Sequence, residues 1–150
     1  MNRPATLLVL LLAGLLAGCG GGSRPTGIRA AETPADDVAE YQPRWRSHTV
    51  DSTQYRKVFL AGTIDMGRSS DWQAALVARF RDSIGGRWLF FNPRRREFHA
   101  SPAEMEYQVA WELAHLEAAD LIVMNLLGDS RSPISLLEMG LYARSGKLFV

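Results

Sequence analysis

The sequence predicts an α/β domain in which a parallel sheet is covered by helices on both faces. Three observations carry that expectation. Short apolar runs recur at 58–61, 88–91, 121–126 and 148–150, and each is continuous instead of alternating. Segments with helical spacing or helical caps stand between them. Unbroken apolar runs mark strands buried on both sides, and their alternation with helices implies parallel crossovers.

The elements follow in order. Val58-Phe59-Leu60-Ala61 is a strand that stops at Gly62. The stretch 71–82 carries Trp72, Leu76, Val77 and Phe80 on one face with charges opposite, and Gly85-Gly86 stops it. Trp88-Leu89-Phe90-Phe91 is a second strand, closed by Asn92-Pro93. Ser101-Pro102-Ala103-Glu104 combines a capping box with proline in the first turn, so a helix runs to about Ala118. The run 121–126 is a third strand, and Gly128-Asp129-Ser130 a loop. Ser132-Pro133 starts a helix that ends near Gly146, and 148–150 begins a fourth strand. A complete domain of this kind would be expected to continue, so the domain reads as truncated at its C-terminus. In such sheets ligands bind at the carboxyl ends of the strands.

The chain has 150 residues and a formal net charge of +1, room for one domain and no reason to expect nucleic acid as a partner. A single cysteine excludes an intramolecular disulfide and a cysteine-based metal cluster. Residues 1–18 read as a signal peptide: Arg3 precedes an apolar stretch from Leu7 to Leu16. That stretch falls short of the roughly 20 residues a membrane span needs. Leu16-Ala17-Gly18-Cys19 resembles a bacterial lipobox. The resemblance implies cleavage before Cys19, a lipid on that residue and anchoring to a membrane. Gly20 in the next position implies the outer membrane, with the domain facing the periplasm. Residues 19–55 lack a sustained period and begin Gly20-Gly21-Gly22-Ser23, which predicts a flexible tether before a domain at 56–150. Trp45 within it either docks on the domain or stands exposed.

Two carboxylates sit on helix faces that should be apolar. Glu138 lies on the stripe Ile134, Leu137, Leu141, and Glu112 falls between Val109 and Leu116 on the face begun by Met105. Charges are rarely buried without a partner. Either the pair shares a cleft, one as nucleophile and one as acid, or Glu112 pairs with an arginine and Glu138 merely edges its stripe.

Three blocks, Phe59-Leu60-Ala61-Gly62-Thr63-Ile64-Asp65-Met66-Gly67, Asn92-Pro93-Arg94-Arg95 and Ser132-Pro133-Ile134-Ser135-Leu136-Leu137-Glu138-Met139-Gly140, resemble the nucleoside 2-deoxyribosyltransferase-like family. The resemblance implies a Rossmann-like (flavodoxin-like) domain that assembles into a homo-oligomer and takes a nucleoside or nucleotide. It makes Glu138 the nucleophile on the anomeric carbon and gives Glu112 the proton traffic on the base. Gly62, Thr63 and Asp65 would line the sugar pocket. Ser132 stands where many transferases carry an acid, a change that favours a 5′-phosphate. By analogy with retaining glycosidases the carboxyl groups should stand about 5–5.5 Å apart. No cofactor or metal is implied, and His48, His99 and His115 are scattered, His115 reading as a surface or capping residue. Asn92 either contacts the ligand or only forms the turn before Pro93. Arg94-Arg95-Arg96 either holds a phosphate or makes a solvated basic turn. Trp72, Trp88 and Trp111 read as core. The alternative to an enzyme is a non-catalytic nucleoside- or nucleotide-binding lipoprotein.

Overall fold

A computed structural model of the chain describes residues 37–97, 99 and 101–150. The signal peptide, Cys19 and the glycine tract lie outside the described residues. The strands are β1 (Val38–Gln42), β2 (Trp45–Arg46), β3 (Arg56–Gly62), β4 (Trp88–Phe91), β5 (Leu121–Asn125) and β6 (Leu148–Phe149). The helices are α1 (Trp72–Ser83), α2 (Pro102–Ala118) and α3 (Pro133–Tyr142). The sheet order is β2-β1-β4-β3-β5-β6, with β2 antiparallel to β1 and every other pair parallel. This is the expected α/β fold of Rossmann-like type.

Side-chain alternation along β3 divides the core. Val58 and Leu60 face Trp72, Leu76, Val77 and Phe80 of α1, while Phe59 and Ala61 face Leu116 of α2 and Met139 and Tyr142 of α3. The cap at Ser101 works as the sequence predicts, and Asp71, read as helical, proves to be a second one. Asp71 accepts from the Ala74 N–H at 2.9 Å and Ser101 from the Glu104 N–H at 3.2 Å, each supplying one of the partners a helix start lacks.

Two expectations are corrected. The stretch expected to be tether as far as 55 joins the sheet from Val38. β1 lies against β4, pairing Val38 with Trp88 and Tyr41 with Phe91, and buries Val38, Ala39 and Tyr41. Its Glu40 is tolerated because Asn92 Nδ2 donates to it at 2.7 Å. Trp45, in β2, is half-buried with the Arg96 guanidinium 3.8 Å above its ring. The apolar stripe of α3 and the first part of that of α2 also stand outward, although Leu116 at the end of the α2 stripe is fully buried. Met105, Val109, Leu113, Ile134, Leu137 and Leu141 are all exposed, whereas Ser135 and Glu138 are buried.

Gln73 is fully buried on α1, and neither end of its amide has a partner among the described residues. An unpaired buried amide costs about 1–3 kcal/mol. Gln73→Met keeps the shape and removes both polar atoms, so it is expected to raise stability by about 1 kcal/mol. Urea unfolding checks this, and a midpoint at or below that of the parent protein would refute it.

Candidate active site

The crossover from β3 leads to β4 on one side and the crossover from β4 returns to β5 on the other, so the chain reverses direction around β3. A crevice opens at the carboxyl ends of strands at such a point. Gly62 ends β3 there with φ of 125°, and its backbone lies so close to β5 that an added Cβ would stand 2.1 Å from the Asn125 carbonyl oxygen. The next residue, Thr63, is buried, and its N–H donates to that same oxygen at 3.0 Å.

The Thr63 hydroxyl ties the crevice together. Its Oγ1 accepts from the Leu127 N–H at 3.0 Å and stands 2.6 Å from Ser132 Oγ. Ser132 is the residue before α3, with φ of 38°, and its hydroxyl does not cap its own helix. It meets Ser130 Oγ at 3.1 Å, and Ser130 in turn donates to Asp65 Oδ1 at 2.9 Å. Asp65, Met66 and Gly67 have successive φ values of 49°, 51° and 83°. Two non-glycine residues in the left-handed region cost free energy that the surroundings must over-determine. Arg94 does so: it donates to the carbonyls of Gly67 at 2.9 Å and Ser69 at 2.8 Å and pairs with Asp71 at 3.5 Å.

The carboxylates lie farther along the helices on the same face of the sheet. Glu138 is 9% exposed and has no hydrogen bond or ion pair among the described residues. Burial, and after it the charge of Glu112, pushes its carboxyl up to about 7. Glu112 is also raised by burial, but Gln108 donates to it and the Arg95 charge opposes the rise. Gln108 itself accepts from Arg95 Nε and gives a second N–H to the Pro93 carbonyl at 2.9 Å. The two acids are near enough for the charge of Glu112 to act on Glu138, and they differ in support: Glu112 is held by a chain of partners, and Glu138 has none among the described residues.

The family model for nucleoside 2-deoxyribosyltransferase-like proteins matches residues 55–150. The chain belongs to that family. No curated protein sequence gives a significant match.

In this deoxyribosyltransferase-like domain α3 links the two halves of the site. Ser132 opens the helix at the strand ends, and Glu138 lies six residues on, about 9 Å along the axis at 1.5 Å per residue. Thr63, Asp65 and Ser132 come together as one hydrogen-bonded cluster, with Gly62 beneath it. Glu112 and Glu138 come together as a second cluster. Asn92 joins neither; both ends of its buried amide are spent, on Glu40 and on the Arg94 N–H at 3.0 Å.

All three arginines of the run make contacts within the chain. Arg94 pins the loop after β3, Arg95 binds Gln108 and the Glu104 carbonyl, and Arg96 covers Trp45. His115 is not a surface or capping residue. It is half-buried, stacked on Trp111 at 3.9 Å and set edge-on against Phe91. Trp72 and Trp88 are core, and Trp111 is half-buried. Gln108 and Ser130 escape sequence reasoning, whereas Arg95 belongs to the run already singled out and its charge acts on Glu112, as one of the two alternatives for that acid had an arginine do. The spacing of Gln108 and Glu112, four apart on one helix, was the available signal. Among the described residues no three His, Cys, Asp or Glu side chains cluster so as to hold a metal ion.

Proposed function

We propose that the domain cleaves or exchanges the N-glycosidic bond of 2′-deoxynucleosides or deoxynucleotides through a covalent glutamyl-sugar intermediate. The observation that carries this reading is the buried Glu138, unpartnered among the described residues and poised near pH 7, with the half-buried Glu112 acting on it from the neighbouring helix, in a domain of this family. A Glu138 carboxylate oxygen attacks the anomeric carbon while the bond to the base nitrogen breaks. The base leaves with the electron pair and takes a proton from solvent, because Glu112, whose charge helps hold the Glu138 proton, is ionised when Glu138 attacks. A second base, or water, then attacks the anomeric carbon, gives its proton to the Glu112 carboxylate and frees Glu138, and Glu112 returns that proton to solvent. Desolvation suits the nucleophile, because no hydrogen bond must be broken before it attacks.

Incubation with a 2′-deoxynucleoside or its 5′-monophosphate and a different free base tests this, with chromatography following released base and exchanged product. Turnover is expected, with kcat/KM rising as pH passes upward through about 7, where Glu138 ionises. In Glu112→Gln that limb moves to lower pH, because the like charge that holds the Glu138 proton is gone. A falling limb near 7 would exchange the two roles. No turnover from folded protein would leave the family fold acting as a nucleoside- or nucleotide-binding protein.

The domain is proposed to work as a homo-oligomer. The six outward residues of α2 and α3 are large apolar side chains left exposed, the kind of surface that a partner covers. Glu138 lies between Ile134 and Leu141 on its helix, so a second copy seated on the stripes would roof the carboxylate cleft. Leu137→Glu with Leu141→Glu is expected to yield monomers in sedimentation; an unchanged mass would place the interface elsewhere. The lipobox at Cys19 further argues for attachment to the envelope, which metabolic labelling with a fatty acid and loss of label in Cys19→Ala would test.

A further inference from the structure

A cleft of about 410 Å³ lies on the opposite flank of α2, between that helix and the β1–β2 hairpin. Glu112, Glu138, Thr63 and Ser132 do not border it. Tyr41, Trp45, Tyr107 and Trp111 supply aromatic walls, Arg44 and Arg46 supply charge, and no carboxylate is among the described residues that line it.

The walls are fixed in place. Trp45 has the Arg96 guanidinium over its ring, and Trp111 is stacked against His115, with ring planes 22° apart. Tyr41 accepts the Val50 N–H at its hydroxyl. The two arginines differ. Arg44 is spent on Glu104 at 2.8 Å. Arg46 has no ion pair or hydrogen bond among the described residues, and its guanidinium sits 4.6 Å from the centre of the Tyr41 ring. A guanidinium with no hydrogen-bond acceptor in the chain keeps its N–H donors available, and those are the groups that grip an oxyanion. His115 does not add charge, since burial, and to a lesser extent Arg46, hold it below its ordinary value.

We infer that this cleft is a second ligand site, one that takes a flat ring bearing a phosphate or carboxylate, the ring lying against the aromatic walls and the anion on Arg46. The cleft size falls within the range of small-molecule sites, roughly 300–1,000 Å³. The inference does not depend on glycosyl transfer at the carboxylate pair.

The four tryptophans make the test selective. Trp45 and Trp111 line the cleft, whereas the Trp72 indole N–H donates to the Thr63 carbonyl at 3.1 Å and reports on the strand-end crevice. Titration of ¹⁵N-labelled protein with 1-naphthyl phosphate is expected to move the Trp45 and Trp111 indole resonances and leave Trp72 in place. Arg46→Gln, a change at an exposed position, is expected to weaken binding about tenfold, the loss of one charge-assisted contact. Neutral 1-naphthol should bind more weakly than the phosphate. No shift at millimolar ligand, a shift of Trp72 alone, equal binding of 1-naphthol, or an unchanged Arg46→Gln would each overturn the assignment.

Discussion

Glu138→Gln is expected to abolish glycosyl transfer and, above neutral pH, to make the protein more stable. The loss of turnover, about 10³-fold or more, is what removal of a covalent nucleophile entails. The gain in stability follows from the same burial that poises the group. Its ordinary value is 4.5, and in the folded protein it stands at about 7. A raised carboxyl means that the folded state binds the proton more tightly than the unfolded chain. Below pH 4.5 both states carry it and the shift costs nothing. As pH rises through 7 the folded state must either ionise in a poor environment or unfold, and the full cost is then about 3 kcal/mol. Glutamine keeps the shape and never ionises. The variant should therefore melt with the parent protein near pH 4 and roughly 10 °C above it at pH 8.5, by calorimetry at both pH values. Equal melting at pH 8.5 would mean that Glu138 finds a partner in solution, and the poised-nucleophile argument would fall with it.

Gly62→Ala should be the most disruptive small substitution in the sheet. The added Cβ would stand 2.1 Å from the Asn125 carbonyl oxygen and 2.8 Å from that residue's backbone nitrogen, so backbone must move, not a side chain. The positive φ adds its own strain for any residue with a Cβ. Parting β3 from β5 also breaks the Thr63 to Asn125 hydrogen bond, and with it the position of the hydroxyl that anchors Ser132. A loss of about 3–5 kcal/mol is expected, read as the shift in the urea midpoint. Gly140→Ala is the contrast: nothing lies within 4 Å of its added Cβ, in mid-helix, and alanine there is expected to raise stability by about 0.5–1 kcal/mol. Similar small effects at both positions would show that β3 and β5 are not in close contact.

The elements from Val58 onward were legible because each carries its own signal: an unbroken apolar run, a capping serine or aspartate, a glycine stop. β1 was not, since Val38-Ala39-Glu40-Tyr41-Gln42 is polar at two of five positions. It becomes a strand because β4, almost fifty residues later, supplies its ladder and Asn92 answers its Glu40. The helical period identified which residues of α3 share a face, yet not which face meets the sheet. Glu138 was singled out and is buried, while Ile134, Leu137 and Leu141 beside it on the helix stand exposed. The two carboxylates could be paired from sequence only as one of two options; the Gln108–Arg95 chain that makes them unequal rests on a loop-to-helix contact that no spacing rule encodes.

The strand order also dictates a timetable for assembly. β3 and β4 are the first parallel neighbours to emerge from the ribosome, and β3 gains its other neighbour only when Asn125 has been made. β1, although synthesised before either, has no parallel partner until the β4 residues exist, so the earliest strand waits and can dock no sooner than β3. Loop closure must be met before each such pairing is rewarded, which slows parallel sheets relative to hairpins. At about 5–20 residues per second of synthesis, the nascent chain spends several seconds with β1 unpaired. During that interval only its two-residue antiparallel contact with β2 is within reach.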